Sequence, residues 1–189
     1  MIKKELREQY RQKRLAITEK EKTKLDDLLL IQFQHLSFSE VQLLLSYAPM
    51  QHTAEPDVHL CERYLQHQIP GLQIAYPVID FATHTMQAML VKEDTEFILN
   101  TYKIEEPTGG EVVQPEAIDM IFVPMLVCDT QGHRAGYGKG FYDRYLNQCR
   151  EEVLKIGFSY FEPVEVISDI HPFDIPLNYC ITPHHIYEF

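Results

Sequence analysis

The sequence predicts an α/β protein: a three-layer α/β/α sandwich around a mostly parallel central sheet, with an N-terminal helical pair, in a single domain spanning residues 1–189. Three observations carry that expectation. Segments of helical period alternate with short apolar runs at residues 41–47, 72–78, 118–127 and 153–158. No internal repeat interrupts the alternation. The clearest apolar run leads directly into the most glycine-rich stretch, and open parallel sheets bind ligands beyond the carboxyl ends of their strands.

Residues 2–16 are rich in strong helix formers, and Thr18 with Glu21 forms a capping box for a second helix running to about His35. Residues 41–47 (VQLLLSY) read as a buried strand ended by Pro49. Residues 57–68 read as a helix. Pro70 and Gly71 mark a turn before a strand at 72–78, and a looser alternation marks another at 86–91. Residues 100–116 read as loop, with a turn at Gly109 and Gly110 that follows Glu106 and Pro107. Residues 118–127 (IDMIFVPMLV) read as the central strand. An amphipathic helix begins at Phe141, with Tyr145, Leu146 and Cys149 on its apolar side; strands at 153–158 and 179–182 complete the chain.

The composition is that of an ordinary globular protein, 45% hydrophobic and 24% charged, with a net charge of -11. So acidic a chain has no general attraction for nucleic acid or anionic membranes, and an anion has to be bound locally. Cys61, Cys128, Cys149 and Cys180 have no CxxC spacing and no secretory leader precedes them, so reduced thiols and a cytoplasmic location are expected. The apolar runs are too short to span a bilayer. The adjacent His184 and His185 point to opposite faces of an extended segment, an arrangement that does not suit a shared metal ion.

Residues 129–144 hold Gly132, Gly136, Gly138 and Gly140 together with Arg134, Lys139 and Asp143. Glycines that accept positive φ let successive N–H groups turn toward one point, which suits an anion. Arg134 and Lys139 add full charges, one as a planar fork and the other as a movable point charge, and Asp143 suits a hard cation such as Mg2+ beside phosphate oxygens. The stretch is neither a P-loop, because Gly140 follows Lys139 where Ser or Thr is required, nor a dinucleotide fingerprint. Lys3, Arg7, Arg11 and Arg14 gather within about 80° of arc on the first helix. Such a stripe serves as a phosphate-reaching face, a nucleic-acid arm or a solvated surface.

Taken together, Lys3 to Arg7 with Arg11 and Arg14, Glu55-Pro56-Asp57, Val123-Pro124, Asp129, Gly132, Arg134 and the run Gly136 to Arg144 resemble the 5-formyltetrahydrofolate cyclo-ligase family, also called methenyltetrahydrofolate synthetase, over nearly the whole chain. The resemblance implies ATP- and Mg2+-dependent conversion of 5-formyltetrahydrofolate to 5,10-methenyltetrahydrofolate with release of ADP and phosphate. The formyl oxygen is a poor leaving group; phosphorylating it lets N10 close the ring and phosphate depart. It implies that Lys139 and Arg134 are catalytic, and that ATP meets Lys3, Arg7, Arg134, Gly136, Tyr137, Gly138, Lys139, Gly140, Phe141 and Tyr142. It places the folate, polyglutamylated forms included, against Met50, Glu55, Tyr137, Gly138, Lys139, Gly140 and Phe141, and Mg2+ on Asp143 and Asp174. No nucleic acid or membrane partner is implied, and the chain is expected to act as a monomer. The chain departs from the common pattern in two places: Pro49 and Glu55 stand two residues farther apart, and Val58 replaces a frequent threonine. A small-molecule kinase and a non-catalytic nucleotide-binding regulator remain alternatives for the glycine loop taken alone.

Overall fold

The computed structural model describes residues 1–189. Two helices open the chain, α1 (Lys3–Leu15) and α2 (Glu19–Phe33). The capping box forms as expected: Glu21 N–H donates to the Thr18 hydroxyl at 3.3 Å while the Glu21 carboxylate accepts the Thr18 N–H at 3.0 Å. Then come β1 (Leu43–Leu45), α3 (His59–Gln68), β2 (Gln73–Asp80), β3 (Thr85–Leu90), β4 (Phe97–Leu99), β5 (Glu105–Pro107), β6 (Val112–Val113) and β7 (Met120–Val123). The remainder is β8 (Val127–Cys128), β9 (Arg134–Ala135), α4 (Phe141–Leu146), β10 (Leu154–Phe158), β11 (Tyr179–Ile181) and β12 (Ile186–Glu188).

An eight-stranded sheet runs in the order β12-β11-β10-β7-β1-β2-β3-β6. Its middle, from β11 to β2, is parallel; β12, β3 and β6 add antiparallel edges. Strands covered on both faces need apolar residues at every position, and β1 and β7 are buried throughout. Their side chains divide by alternation. Leu43, Leu45, Ile121 and Val123 meet Phe141, Tyr145 and Leu146 of α4 on one face. Leu44, Met120 and Phe122 meet Leu29 and Phe33 of α2 and Cys61 and Leu65 of α3 on the other. That division makes the three layers, and the expected architecture stands.

Four expectations change in detail. The 118–127 run is not one strand: Pro124 has no N–H for the ladder, so β7 stops at Val123. The chain leaves the sheet, and Val127 and Cys128 pair instead with Ala135 and Arg134 in a separate hairpin. Residues 100–116 are not all loop, because β5 pairs with β4 and β6 extends the sheet beside β3. These pairings rest on main-chain bonds and largely lack an apolar alternation that would betray them; β4 exposes Phe97, Ile98 and Leu99 in succession. A strand absent from the sequence reading, β12, closes the far edge. The helix after the glycine loop has six residues, ending at Leu146 before Cys149.

Asp119 ties the entry of β1 to β7. Its Oδ2 accepts the Gln42 and Leu43 N–H groups, both at 2.8 Å, and its Oδ1 pairs with the Arg150 guanidinium. Burial alone raises its pKa, but the Arg150 contact and the two N–H bonds outweigh that and hold it below the ordinary 3.8.

Phe122 is fully buried against Phe33 and Phe158, with ring centroids 5.8 and 5.0 Å away. Phe122→Ala is expected to lower unfolding free energy by about 3–5 kcal/mol in a urea titration, from lost burial plus a cavity. A depressed folded pKa contributes stability above the unfolded value that is lost as pH falls through the folded one. The stability gap between wild type and Asp119→Asn is therefore expected to be full at neutral pH and to close below about pH 4, read from urea midpoints across pH.

Candidate active site

The β8–β9 hairpin carries the glycine loop out past the carboxyl ends of β7 and β1. Asp129 sets its turn, with Oδ1 accepting Gln131 and His133 N–H groups at 2.9 and 3.0 Å and Oδ2 accepting Ile167 N–H at 3.0 Å. Beyond Ala135, Gly138 and Gly140 take φ of 84° and 70°, on either side of Lys139. None of the N–H groups of Gly136, Tyr137, Gly138, Lys139 and Gly140 has an acceptor within the protein. Five consecutive main-chain donors without a protein acceptor, in a half-exposed turn with two glycines at positive φ, are an arrangement that suits an anion. Lys139 is exposed, and its ammonium pairs with no protein group.

The basic stripe of α1 divides along its length. Arg7 donates through Nε to the Gly136 carbonyl at 2.9 Å and lies over Gly138, where an added Cβ would stand 3.1 Å from its guanidinium carbon. Lys3 is buried and paired with Asp174. Arg14 is 2% exposed. Only Arg11 faces solvent. The first turn of α1 is fastened to residues 166–174: Lys3 N–H donates to Asp169 at 2.7 Å and Ser168 N–H to the Met1 carbonyl at 3.1 Å.

Asp143 and Asp174 lie on either side of one main-chain unit. The Ile175 N–H donates to Asp143 Oδ1 at 3.2 Å, and Arg134 bridges the same pair, donating to Asp143 Oδ1 at 2.7 Å and to the Ile175 carbonyl at 2.5 Å. Asp174 Oδ2 accepts from His171 N–H at 2.6 Å and from Lys3. Burial pushes the Asp174 carboxyl up, yet these bonds hold it below its usual range, so it is ionised at neutral pH. Asp143 Oδ2 and Asp174 Oδ1 make no hydrogen bond within the protein. No group of three or more His, Cys, Asp and Glu side chains converges anywhere. Two carboxylates, each with one free oxygen beside an anion loop, fit Mg2+, which takes few protein ligands and completes its shell with phosphate and water.

Glu55 occupies the opposite wall. The additional residues between Pro49 and Glu55 wind into a short 3-10 turn, Gln51–Thr53, closed by Ala54 at φ 49°. The turn returns the chain so that Met50 N–H donates to Glu55 Oε2 at 2.6 Å. The longer spacing thus still brings Met50 and Glu55 together. Glu55 is 2% exposed, and its Oε1 accepts the Tyr137 hydroxyl. Burial raises its pKa, opposed by Tyr137, Arg14, Met50 N–H and His52. The Tyr142 hydroxyl is buried with no partner; burial and the Glu55 charge push its pKa far up and keep its proton available. Phe141 forms part of an aromatic wall in which Phe81 meets it edge-on at 5.3 Å and stacks on Tyr102 at 3.8 Å.

Of the residues nominated from the sequence, the structure joins Arg7 to Gly136, Lys3 to Asp174, Arg134 to Asp143, and Glu55 to both Met50 and Tyr137, while the Lys139 ammonium joins none of them. Sequence reasoning missed Arg14 as the group that holds Tyr137, and missed Tyr102 and Phe81. Arg14 was visible only as one member of the stripe, and Tyr102 lay in what read as featureless loop.

The model of the 5-formyltetrahydrofolate cyclo-ligase family matches residues 1–183. The 5-formyltetrahydrofolate cyclo-ligase of Mycoplasma pneumoniae is 28% identical over 183 residues, covering 96% of this chain and 98% of the relative. That of Mycoplasma genitalium is 39% identical over a shorter stretch, 36% of this chain and 42% of the relative's length. Among solved structures, the 5,10-methenyltetrahydrofolate synthetase of Aquifex aeolicus superposes with a TM-score of 0.82 at 27% identity, over 100% of this chain and 93% of the other. The Mycoplasma pneumoniae 5,10-methenyltetrahydrofolate synthetase gives 0.74 at 25% identity, over 96% and 98%. With a match along almost its entire length and the glycine loop, basic helix and buried glutamate in one cleft, the chain belongs to the 5-formyltetrahydrofolate cyclo-ligase family.

Proposed function

We propose that this enzyme converts 5-formyltetrahydrofolate to 5,10-methenyltetrahydrofolate, using Mg-ATP to phosphorylate the formyl oxygen before N10 closes the ring. The observation that carries the reading is the run of five unbonded N–H groups from Gly136 to Gly140, flanked by Arg7, Arg134 and the free ammonium of Lys139. Triphosphate oxygens supply the acceptors that these donors lack. Lys139 reaches the transferring phosphoryl group, where charge builds on the equatorial oxygens, and Lys3 and Arg7 hold the remaining phosphates.

Asp143 and Asp174 would hold Mg2+, which supplies charge neutralisation between phosphates. Arg134 keeps Asp143 aimed, and His171 N–H does the same for Asp174. Glu55 offers two buried oxygens to the N–H donors of the pterin edge, with Met50 beside it. Phe141 and Tyr137 line the same side, and the Tyr142 hydroxyl adds a donor. No covalent nucleophile is required: the cleft holds two substrates in line and stabilises charge. We take the acting unit to be a monomer.

Mixing protein, 5-formyltetrahydrofolate and Mg-ATP is expected to raise the near-ultraviolet absorbance of methenyltetrahydrofolate with matching release of free phosphate. No ATP-dependent absorbance removes the reading, and phosphate retained on a stable product points instead to a kinase. Lys139→Ala is expected to lower kcat by about 10²-fold or more while the thermal midpoint stays at the wild-type value, because the ammonium makes no contact in the fold. Wild-type turnover in that variant would contradict its role at phosphate. In Asp143→Asn and Asp174→Asn, rate measured against Mg2+ concentration should shift to higher metal.

A further inference from the structure

We propose that Arg14 is a positioning residue that locks Glu55 and Tyr137 together and so fixes the aim of the folate-side carboxylate; this rests on the reading of Glu55 as a folate contact. Arg14 lies on the helix that carries Lys3 and Arg7. Its guanidinium fans out to three separate segments: Nε donates to the Thr53 carbonyl at 2.7 Å, one Nη to the Met125 carbonyl at 3.2 Å and the other to the Tyr137 hydroxyl. Its charge centre is 5.7 Å from the Tyr137 ring.

A guanidinium buried this deeply is costly, and a helix needing only to pack there would carry an apolar side chain. What the charge adds is direction. A phenol that accepts from a cation has its single hydrogen free to donate elsewhere, and Tyr137 donates to Glu55 Oε1. Glu55 Oε2 is taken up by Met50 N–H. An ionised carboxylate has about four acceptor positions, so about two remain for substrate donors, in a direction fixed by the other two. Removing Arg14 releases Tyr137, Thr53 and Met125 together, and with them the aim of Glu55.

The charged and titratable groups around Glu55 are Arg14 from α1, His52 from the 3-10 turn, Tyr137 and Tyr142 from the glycine-loop side, Tyr47 beyond β1, and Tyr160 after β10, whose hydroxyl donates to the Glu55 carbonyl at 3.4 Å. Burial raises the Glu55 pKa; Arg14 is among the groups that lower it. Loss of Arg14 therefore moves Glu55 ionisation to higher pH.

The test is steady-state kinetics across pH for wild type, Arg14→Met, Arg14→Lys, Tyr137→Phe and Glu55→Gln, each checked for its thermal midpoint. Arg14→Met is expected to raise KM for 5-formyltetrahydrofolate about tenfold or more, the scale of a lost charge-assisted hydrogen bond, with KM for ATP close to wild type. The acid limb of kcat/KM for the folate should move to higher pH, Arg14→Lys should recover part of both effects, and Glu55→Gln should abolish the limb. Tyr137→Phe breaks the same link without touching the arginine, so it carries the test if Arg14→Met does not fold. Equal rises in both KM values with an unmoved pH profile overturn the proposal. A folate KM raised by Glu55→Gln but not by Arg14→Met or Tyr137→Phe overturns it alone, whereas an unchanged folate KM in Glu55→Gln removes the reading of Glu55 and the proposal with it.

Discussion

A proline cannot donate to a β-ladder, and the placement of the cleft follows from where Pro124 therefore ends β7. β7 is the central strand, covered on both faces, and its neighbours β1 and β10 run parallel to it. At Pro124 the chain is forced out of the sheet and into the β8–β9 hairpin, which projects the glycine loop over the strand ends. Everything else in the cleft is placed relative to that loop. Helix α1 lies across it through Arg7, the 166–175 segment fastens α1 and supplies Asp174, and the loop after β1 brings Glu55 to Tyr137.

The electrostatics follow from the same geometry. A chain with a net charge of -11 gathers Lys3, Arg7, Arg14, Arg134 and Lys139 in one region. Four of the five bond to acids or carbonyls within the protein, and Lys139 alone pairs with none. Their partners Asp143 and Asp174 each keep one oxygen free. Opposite charges thus hold the cleft in shape without cancelling its capacity for phosphate, while the acidic exterior provides no general affinity for polyanions.

Much of this was legible in the residues themselves. Burial on both faces of β1 and β7 imposes unbroken apolar runs, and the α2 capping box fixes a helix start, so the layers could be read from pattern. The glycine loop was legible because positive φ at Gly138 and Gly140 and the adjacent charges are local properties. What escaped depends on partners distant in sequence. Arg14 looks like any member of a basic stripe until Thr53, Met125 and Tyr137 converge on it. The β5 and β6 strands pair through the main chain with little side-chain periodicity, so residues 100–116 read as loop. In the 118–127 run the proline was present in the pattern but outweighed by its apolar neighbours.

The central claim is that the N–H groups of residues 136–140 bind the phosphates of ATP. Amide resonances of the isotope-labelled enzyme, followed as a non-hydrolysable ATP analogue and Mg2+ are added, report on those donors directly. The expected result is that the amides from Gly136 to Gly140 shift together at saturation and become protected from hydrogen exchange. If the analogue binds while those five amides keep their positions and exchange rates, the loop is not the phosphate site and the account fails.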